Sequence, residues 1–400
     1  MSQIDKIFDS FMENTLFENK NVLQTNYTPE NIPHRDAQIE QLASILAPSL
    51  RGERVSNLFI YGKTGTGKTL SVHHVRNSLL KRSKESNGGL RIEYINCKLK
   101  KVADTEYRIL AELIKKLGGH VPSTGLPTDQ VYNKFIELIE NEKQLFIIIL
   151  DEVDQAVKKI SDEFLYNLTR LNSELVKTQI CLIGISNDLT FLDSIDPRVR
   201  SSLSEEEIVF PPYNAVQLQE ILKSRAAEAF KKGCVDSGVI EKCSAFAARE
   251  HGDARRALDL LRIAGEIAER KGSKKIKLEH IDQANEKIEK DKMLDIIETE
   301  PKQFQLVLSS MIHLTESKRL NKIFTGDIYS VYQDLCKKTG TEVLTQRRVS
   351  DIISEFDMLG LINATVISKG RYGRTREIKL AIPPQILEKS KEILKNALGV

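Results

Sequence analysis

Short apolar runs alternate with amphipathic, helix-like stretches through the first half of the chain. Four such runs of strand length lie at residues 58–61, 92–96, 146–150 and 180–185. Runs of this kind are typical of strands buried on both faces, and their alternation with helices favours a parallel sheet covered by helices. We therefore predict an α/β domain with flanking helices over residues 1–213, which includes an N-terminal arm.

The pattern changes after Pro211 and Pro212. Only helical periodicity remains from residue 215 to about residue 290, which predicts a small helical domain over residues 214–298. Three further helical segments then precede two short strands, at residues 302–316, 326–338, 345–359, 362–368 and 377–382. Three helices followed by a β-hairpin are typical of a winged helix, which we predict for residues 299–400.

Charge is unevenly distributed along the chain. The 400 residues carry a formal net charge of +3, yet residues 301–400 hold 16 lysines and arginines against 10 aspartates and glutamates. This net charge of +6 at one end indicates a phosphate-binding module beside a near-neutral body. No apolar run approaches the roughly 20 residues of a membrane span, and a signal-peptide core is absent. We expect a cytoplasmic protein without a membrane contact.

A glycine-rich segment follows the first apolar run and precedes a helical one. It matches the phosphate-loop pattern G-x-x-x-x-G-K-[ST] in the strand-to-helix setting that the motif requires. Backbone N–H groups and a helix N-terminus would surround the phosphates, Lys68 would reach their outer oxygens, and Thr69 would ligate Mg²⁺. The residues of this segment predicted to bind ATP or ADP are Gly62, Lys63, Thr64, Gly65, Thr66, Gly67, Lys68, Thr69 and Leu70.

Polar side chains follow the third and fourth buried runs. Asp151 is predicted to hold Mg²⁺, partly through water, and the adjacent Glu152 to polarise the attacking water. Asn187 follows the run at 180–185, where its amide can orient that water against the γ-phosphate. Turn chemistry explains a Ser-Asn-Asp sequence equally well, so the residues alone leave both interpretations of Asn187 open.

The order of these motifs resembles that of the AAA+ ATPases, and in particular that of the archaeal origin-recognition initiators. These are relatives of the eukaryotic origin recognition complex and its helicase-loading partner. The segments that carry the resemblance span most of the chain, at residues 27–29, 33–35, 62–69, 150–154, 184–187, 196–203, 209–213 and 252–258. The resemblance implies an AAA+ domain, a helical lid and a C-terminal winged helix.

The resemblance also implies roles for single residues. Asn187 stands at the first sensor position, and Arg255 at the second, where an arginine on a lid helix points at the γ-phosphate. Arg198 corresponds to an arginine finger that acts on a neighbour's ATP, although Ser202 stands where ring-forming relatives carry a further arginine. A salt-bridged arginine after a turn explains Arg198 as well. The remaining implied nucleotide contacts are Pro33, His34 and Arg35, in the linker that covers the adenine, and Tyr213.

Two basic segments of the C-terminal domain are candidates for DNA contact. The start of the third helix would present side chains to base edges, with Thr345, Gln346, Arg347 and Arg348. The hairpin tip would reach phosphates or the minor groove, with Lys369, Arg371, Tyr372, Arg374 and Arg376. Winged helices also mediate protein contacts. The resemblance adds a second DNA contact from the loop at 118–127, which a plain surface loop explains equally well.

These observations favour a nucleoid-associated initiator that binds double-stranded origin DNA and helps to recruit or load the replicative helicase. ATP would act as a switch with slow hydrolysis, and other initiator paralogues or further copies on DNA would be its partners. Two alternatives remain open. One is a DNA-stimulated remodelling motor or clamp loader, and the other is a winged-helix transcription regulator.

Overall fold

The computed structural model describes residues 15–25, 27–86, 89–98, 105–122, 125–203, 205–318, 323–368 and 374–399. The chain divides into two compact units, residues 1–281 and residues 282–400. Within the described residues, no helix combines the length and the apolar character needed to cross a membrane.

Five parallel strands form the centre of the first unit, in the order β2-β3-β4-β1-β5. They are β1 (Asn57–Tyr61), β2 (Leu90–Asn96), β3 (Gln144–Asp151), β4 (Thr178–Ser186) and β5 (Glu205–Val209). The register places Tyr61 beside Ser186 and Asn96 beside Asp151, so the strands end together at one edge of the sheet. The predicted parallel sheet is confirmed.

Strand β5 has no counterpart among the predicted strands. It lies at the edge of the sheet, with Ile208 buried and Glu206 and Glu207 exposed. Its pairing with β1 holds it in the sheet through backbone hydrogen bonds. Because an edge strand tolerates charged residues, local hydrophobicity does not reveal it.

The sheet is covered by helices on both faces. Successive residues of β3 point to opposite faces, so Phe146 and Ile148 join one hydrophobic core and Ile147 and Ile149 join the other. Helices α1 (Asp36–Leu46) and α2 (Lys68–Ser86) pack on the second of these cores. The first core is covered by α3 (Glu106–Lys116), α4 (Thr128–Ile139), α5 (Val153–Ile160), α6 (Glu163–Arg170) and α7 (Pro197–Leu203).

A helical lid follows the sheet in the first unit. It contains α8 (Ala215–Ala229), α9 (Val239–Arg249), α10 (Ala254–Arg270) and the start of α11 (Leu278–Thr299). Asn214 and Gln217 form a reciprocal capping box at the start of α8. Asp253 caps α10 by accepting hydrogen bonds from the first N–H groups of that helix.

The second unit is a winged helix, as predicted. After α11 it contains α12 (Lys302–Lys318), β6 (Ile323–Phe324), α13 (Thr325–Lys338), α14 (Gln346–Met358), β7 (Ile362–Ser368), β8 (Arg374–Leu380) and α15 (Pro384–Leu398). The strands form an antiparallel sheet in the order β6-β8-β7. Strand β6 and helix α15 were not predicted. The signal for α15 was the proline at its first position, which is typical of a helix start.

Candidate functional site

A cavity of about 850 Å³ lies between the lid and the sheet edge at which the strands end. Its volume is within the size range of cofactor sites. The predicted residues that line it are Pro33, Thr64, Gly65, Thr66, Gly67, Lys68, Thr69, Leu70, Asp151, Glu152, Asn187, Tyr213 and Arg255. Of the predicted nucleotide contacts, four lie outside the lining, namely His34, Arg35, Gly62 and Lys63.

Lys68 lies at the floor of this cavity and is almost fully buried. Its Nζ donates hydrogen bonds to Gly62 O (2.6 Å), to Lys63 O (2.8 Å) and to Asn187 Oδ1 (2.9 Å). Burial lowers the pKa of Lys68 to about 8, and the nearby Arg255 acts in the same direction while Asp151 opposes it. The fold thus joins the lysine of the phosphate loop to the amide that follows β4.

Asp151 ends β3 with its carboxylate held on three sides. Its Oδ2 accepts hydrogen bonds from Thr69 Oγ1 (2.8 Å) and Tyr94 OH (2.7 Å), and its Oδ1 accepts one from Glu152 N (2.9 Å). Burial and the adjacent carboxylate raise the pKa of Tyr94 above its usual range, so the phenol remains a donor. Sequence reasoning missed Tyr94, since its role depends on β2 pairing with β3.

Glu152 lies immediately before α5 in a left-handed conformation, with a φ of 55°. This conformation is uncommon for residues other than glycine and is often associated with a functional position. Lys98 Nζ lies 3.6 Å from Glu152 Oε2, and both residues line the cavity. Asp154, in the first turn of α5, is buried and accepts a hydrogen bond from Ser186 Oγ (3.2 Å), which joins α5 to the end of β4.

Arg35 supports the phosphate loop from behind. It is buried, and its Nε donates to Thr66 O (2.8 Å) and its Nη2 to Pro211 O (2.6 Å). Its guanidinium carbon lies 3.8 Å from the centre of the Tyr213 ring. The neighbouring His34 lies beside lid helix α8, with Nε2 2.9 Å from Glu220 Oε2.

The lid contributes Arg255, which is exposed to the cavity from the first turn of α10. The next residue, Arg256, is instead mostly buried, and its Nη2 pairs with Glu250 Oε1 (3.2 Å). Lid residues that sequence reasoning missed, Ile221, Arg225 and Leu258, also line the cavity. Arg225 stacks on the Tyr27 ring at 4.6 Å. Helical periodicity gave no sign of these contacts.

Arg198 lies apart from the cavity lining and its side chain is 88% exposed. Its Nε and Nη2 each donate to the Asp196 carboxylate at 3.1 Å. This ion pair fits the alternative interpretation of Arg198 as a salt-bridged arginine after a turn. It leaves the guanidinium at the surface of the first unit.

In the winged helix, the start of α14 is exposed over Thr345, Gln346, Arg347 and Arg348. Arg376, on β8, contacts α14 instead of pointing away from it. Its Nη1 donates to Ser350 O (2.7 Å) and Ser354 Oγ (2.6 Å). Lys369, Arg371 and Tyr372 lie outside the described residues, as does the side chain of Arg374.

Three parts of the chain match protein-family profiles. Residues 31–183 match an AAA ATPase domain, residues 219–286 the Cdc6 AAA+ ATPase-type lid domain, and residues 295–390 the CDC6 C-terminal winged helix domain. Together with the sheet, the lid and the cavity, these matches define the class of protein as an AAA+ ATPase with a C-terminal winged helix.

The chain is 52% identical over 386 residues to an ORC1-type DNA replication protein of Thermococcus onnurineus (strain NA1), covering 95% of this chain and 92% of the relative. It is 51% identical over 387 residues to ORC1-type DNA replication protein 1 of Archaeoglobus fulgidus, covering 96% and 93%. The solved structure of the Aeropyrum pernix ORC1 protein in complex with DNA matches with a TM-score of 0.82 and 42% identity, over 95% of this chain and 97% of that one. The chain belongs to the archaeal ORC1-type DNA replication proteins, which are AAA+ replication initiators.

Proposed function

We propose that this chain binds origin DNA and that ATP, with Mg²⁺, acts as a switch between two arrangements of its lid. The observation that carries this proposal is the convergence of Lys68, Asn187 and Arg255 on one cavity from the phosphate loop, the sheet and the lid. These side chains would hold a γ-phosphate from two sides. Hydrolysis would remove this contact and release the lid. The nucleotide would thus shift the chain between two populated arrangements of the lid.

The donor groups of the cavity suit a nucleotide with its metal ion. Gly62, Gly65 and Gly67 adopt positive φ angles of 155°, 69° and 90°, which allow the backbone to curl tightly before α2. Thr69 and Asp151 offer the oxygen ligands that Mg²⁺ prefers. A bound ATP would supply the phosphoanhydride, and Glu152 would accept a proton from the attacking water. We expect slow hydrolysis by the isolated chain, because Arg198 lies apart from the cavity lining.

The proposed DNA-binding surface is the exposed start of α14 together with the wing, by which we mean the β7–β8 hairpin with its tip at residues 369–376. The last hundred residues carry the basic excess of the chain, and the Aeropyrum pernix relative was solved in complex with DNA. Phosphate contacts by Arg347, Arg348 and the wing residues Lys369, Arg371 and Arg374 would give the affinity. Base contacts by Gln346 and its neighbours would give the sequence preference.

We also propose that the chain acts at the nucleoid, with the replicative helicase and other initiators as partners. The loop at 118–127 is proposed as a second DNA contact. Both proposals rest on the family of the chain.

The proposed function is tested by footprinting the full chain on candidate origin DNA with ATP, with ADP and without nucleotide. We expect a defined footprint that changes with the nucleotide. In Lys68→Ala the nucleotide dependence should disappear while DNA binding persists. The control Lys81→Ala should behave like the wild type, because Lys81 is an exposed lysine of α2 that does not line the cavity. Strong DNA-stimulated turnover with ring assembly would favour a motor instead, and binding confined to promoters would favour a transcription regulator.

A further inference from the structure

The turn that precedes lid helix α10 lies directly on the phosphate loop. Asp253 Oδ2 accepts a hydrogen bond from Thr64 Oγ1 (3.2 Å). The other carboxylate oxygen, Oδ1, accepts hydrogen bonds from the N–H groups of Arg255 (2.8 Å) and Arg256 (3.3 Å). The Asp253 carboxylate therefore caps α10, the helix that carries Arg255, and also connects the first turn of that helix to the phosphate loop.

The close approach of the two segments depends on Gly65. The phosphate-loop pattern leaves this position open to any residue, yet a Cβ on Gly65 would lie 1.7 Å from Asp253 Oδ1 and 3.0 Å from Asp253 Cα. The carbonyl of Gly65 also accepts a hydrogen bond from Ala254 N (3.2 Å). The glycine thus serves the contact with the lid as well as the turn of the loop.

A second path of contacts fixes the same turn from its other side. A Cβ on Gly252 would lie 2.3 Å from Tyr213 O, so the backbones of these residues touch. The Tyr213 ring stacks on Arg35, and Arg35 in turn donates to Thr66 O. The turn is therefore connected to the phosphate loop directly through Asp253 and indirectly through Tyr213 and Arg35.

From this geometry we propose that Asp253 is a positioning residue that sets Arg255 against the phosphate loop and so favours ATP over ADP. The proposal rests on the nucleotide site proposed above. Arg255 lies two residues after Asp253, so the place of its guanidinium in the cavity depends on where this turn is held. Only ATP carries the γ-phosphate that Arg255 would contact. A loosened turn should therefore weaken ATP binding more than ADP binding.

The test measures how ATPγS and ADP each displace a fluorescent ADP analogue from the full chain with Mg²⁺, which gives the ratio of the two affinities. Arg255→Ala should lower the preference for ATPγS by about tenfold, as expected for a charge-assisted hydrogen bond. Asp253→Ser keeps a good helix cap but lacks the second oxygen that Thr64 contacts, and Thr64→Val removes the donor while leaving the cap. Each should lower the preference by about fivefold, and the double variant should lower it no further, because both changes break one interaction.

Asp253→Asn is the matched control, because it retains an acceptor for the cap and a polar group toward Thr64. Its preference for ATPγS should stay within about twofold of the wild type. The proposal is overturned if Asp253→Ser and Thr64→Val keep the wild-type preference while Arg255→Ala loses it, or if they weaken both nucleotides equally. Failure of the wild type to bind either nucleotide would instead refute the nucleotide site itself, and the two failures are thus distinguished.

Discussion

Replacing Arg376 by alanine should loosen the wing from helix α14 in the winged-helix unit. Arg376 Nη1 donates one hydrogen bond to Ser350 O and one to Ser354 Oγ, at 2.7 Å and 2.6 Å. A hydrogen bond from a charged donor contributes about 1.5 kcal/mol or more. With both bonds partly buried, we expect the free energy of unfolding of this unit to fall by about 2–3 kcal/mol. Chemical denaturation followed by circular dichroism measures this change.

The same variant distinguishes a structural role of Arg376 from a direct contact with DNA. Because Nη1 of Arg376 is engaged by α14, we expect Arg376→Ala to weaken duplex binding by misplacing the wing, without changing the salt dependence of the affinity. A residue that neutralises a phosphate instead contributes about 0.9 to the slope of log K against log salt concentration. Anisotropy titrations of a labelled duplex at several salt concentrations give this slope.

Two further variants serve as controls for this reasoning. Ser354→Ala removes one of the two acceptors and should cause a smaller loss of stability than Arg376→Ala. Arg376→Lys keeps the charge but lacks the planar guanidinium, so we expect it to resemble alanine in stability. If the salt-dependence slope falls by about 0.9 in Arg376→Ala and recovers in Arg376→Lys, the structural role is refuted and Arg376 contacts a DNA phosphate.

Three other predictions follow from the first unit. Burial holds the pKa of Lys68 at about 8, and bound phosphates should raise it. ATP binding should therefore take up protons near pH 8 and weaken as the pH rises above 8. Calorimetry at pH 8 in buffers of different ionisation enthalpy measures this proton uptake. Equal binding enthalpies in all buffers would contradict it. Tyr94→Phe removes a donor to Asp151 and should raise the Mg²⁺ concentration needed for ATPγS binding by about tenfold. Titration with Mg²⁺ measures this concentration. An unchanged Mg²⁺ concentration would show that Tyr94 does not position the Asp151 carboxylate. Ile148→Ala should lower the free energy of unfolding by about 3 kcal/mol, because this side chain is fully buried, whereas Val176→Ala, at a position 89% exposed, should change it little in the same denaturation experiment.

The sequence by itself determined four strands of the parallel sheet, the helical lid and the three helices and hairpin of the winged helix, because the signals involved are local. It did not reveal β5, β6 or α15. Buried strands and amphipathic helices differ in the period of their apolar residues, and the phosphate loop is a contiguous pattern between a strand and a helix. Polar residues that follow parallel strands must meet at one edge of the sheet. Asp151, which ends β3, and Asn187, which follows β4, could therefore be predicted at this edge.

Only the tertiary structure decided what several long side chains contact. The family resemblance implied a nucleotide contact for Arg35. In the structure this side chain is buried outside the cavity lining and donates to Thr66 O, which lies 31 residues away. Arg376 was predicted as a DNA contact of the hairpin, and in the structure its Nη1 donates to a helix that lies 22 to 26 residues earlier. The Asp253 side chain reaches Thr64 across 189 residues. Such contacts depend on the packing of distant segments, and the local pattern around an arginine or aspartate is the same whether it faces solvent or a backbone carbonyl.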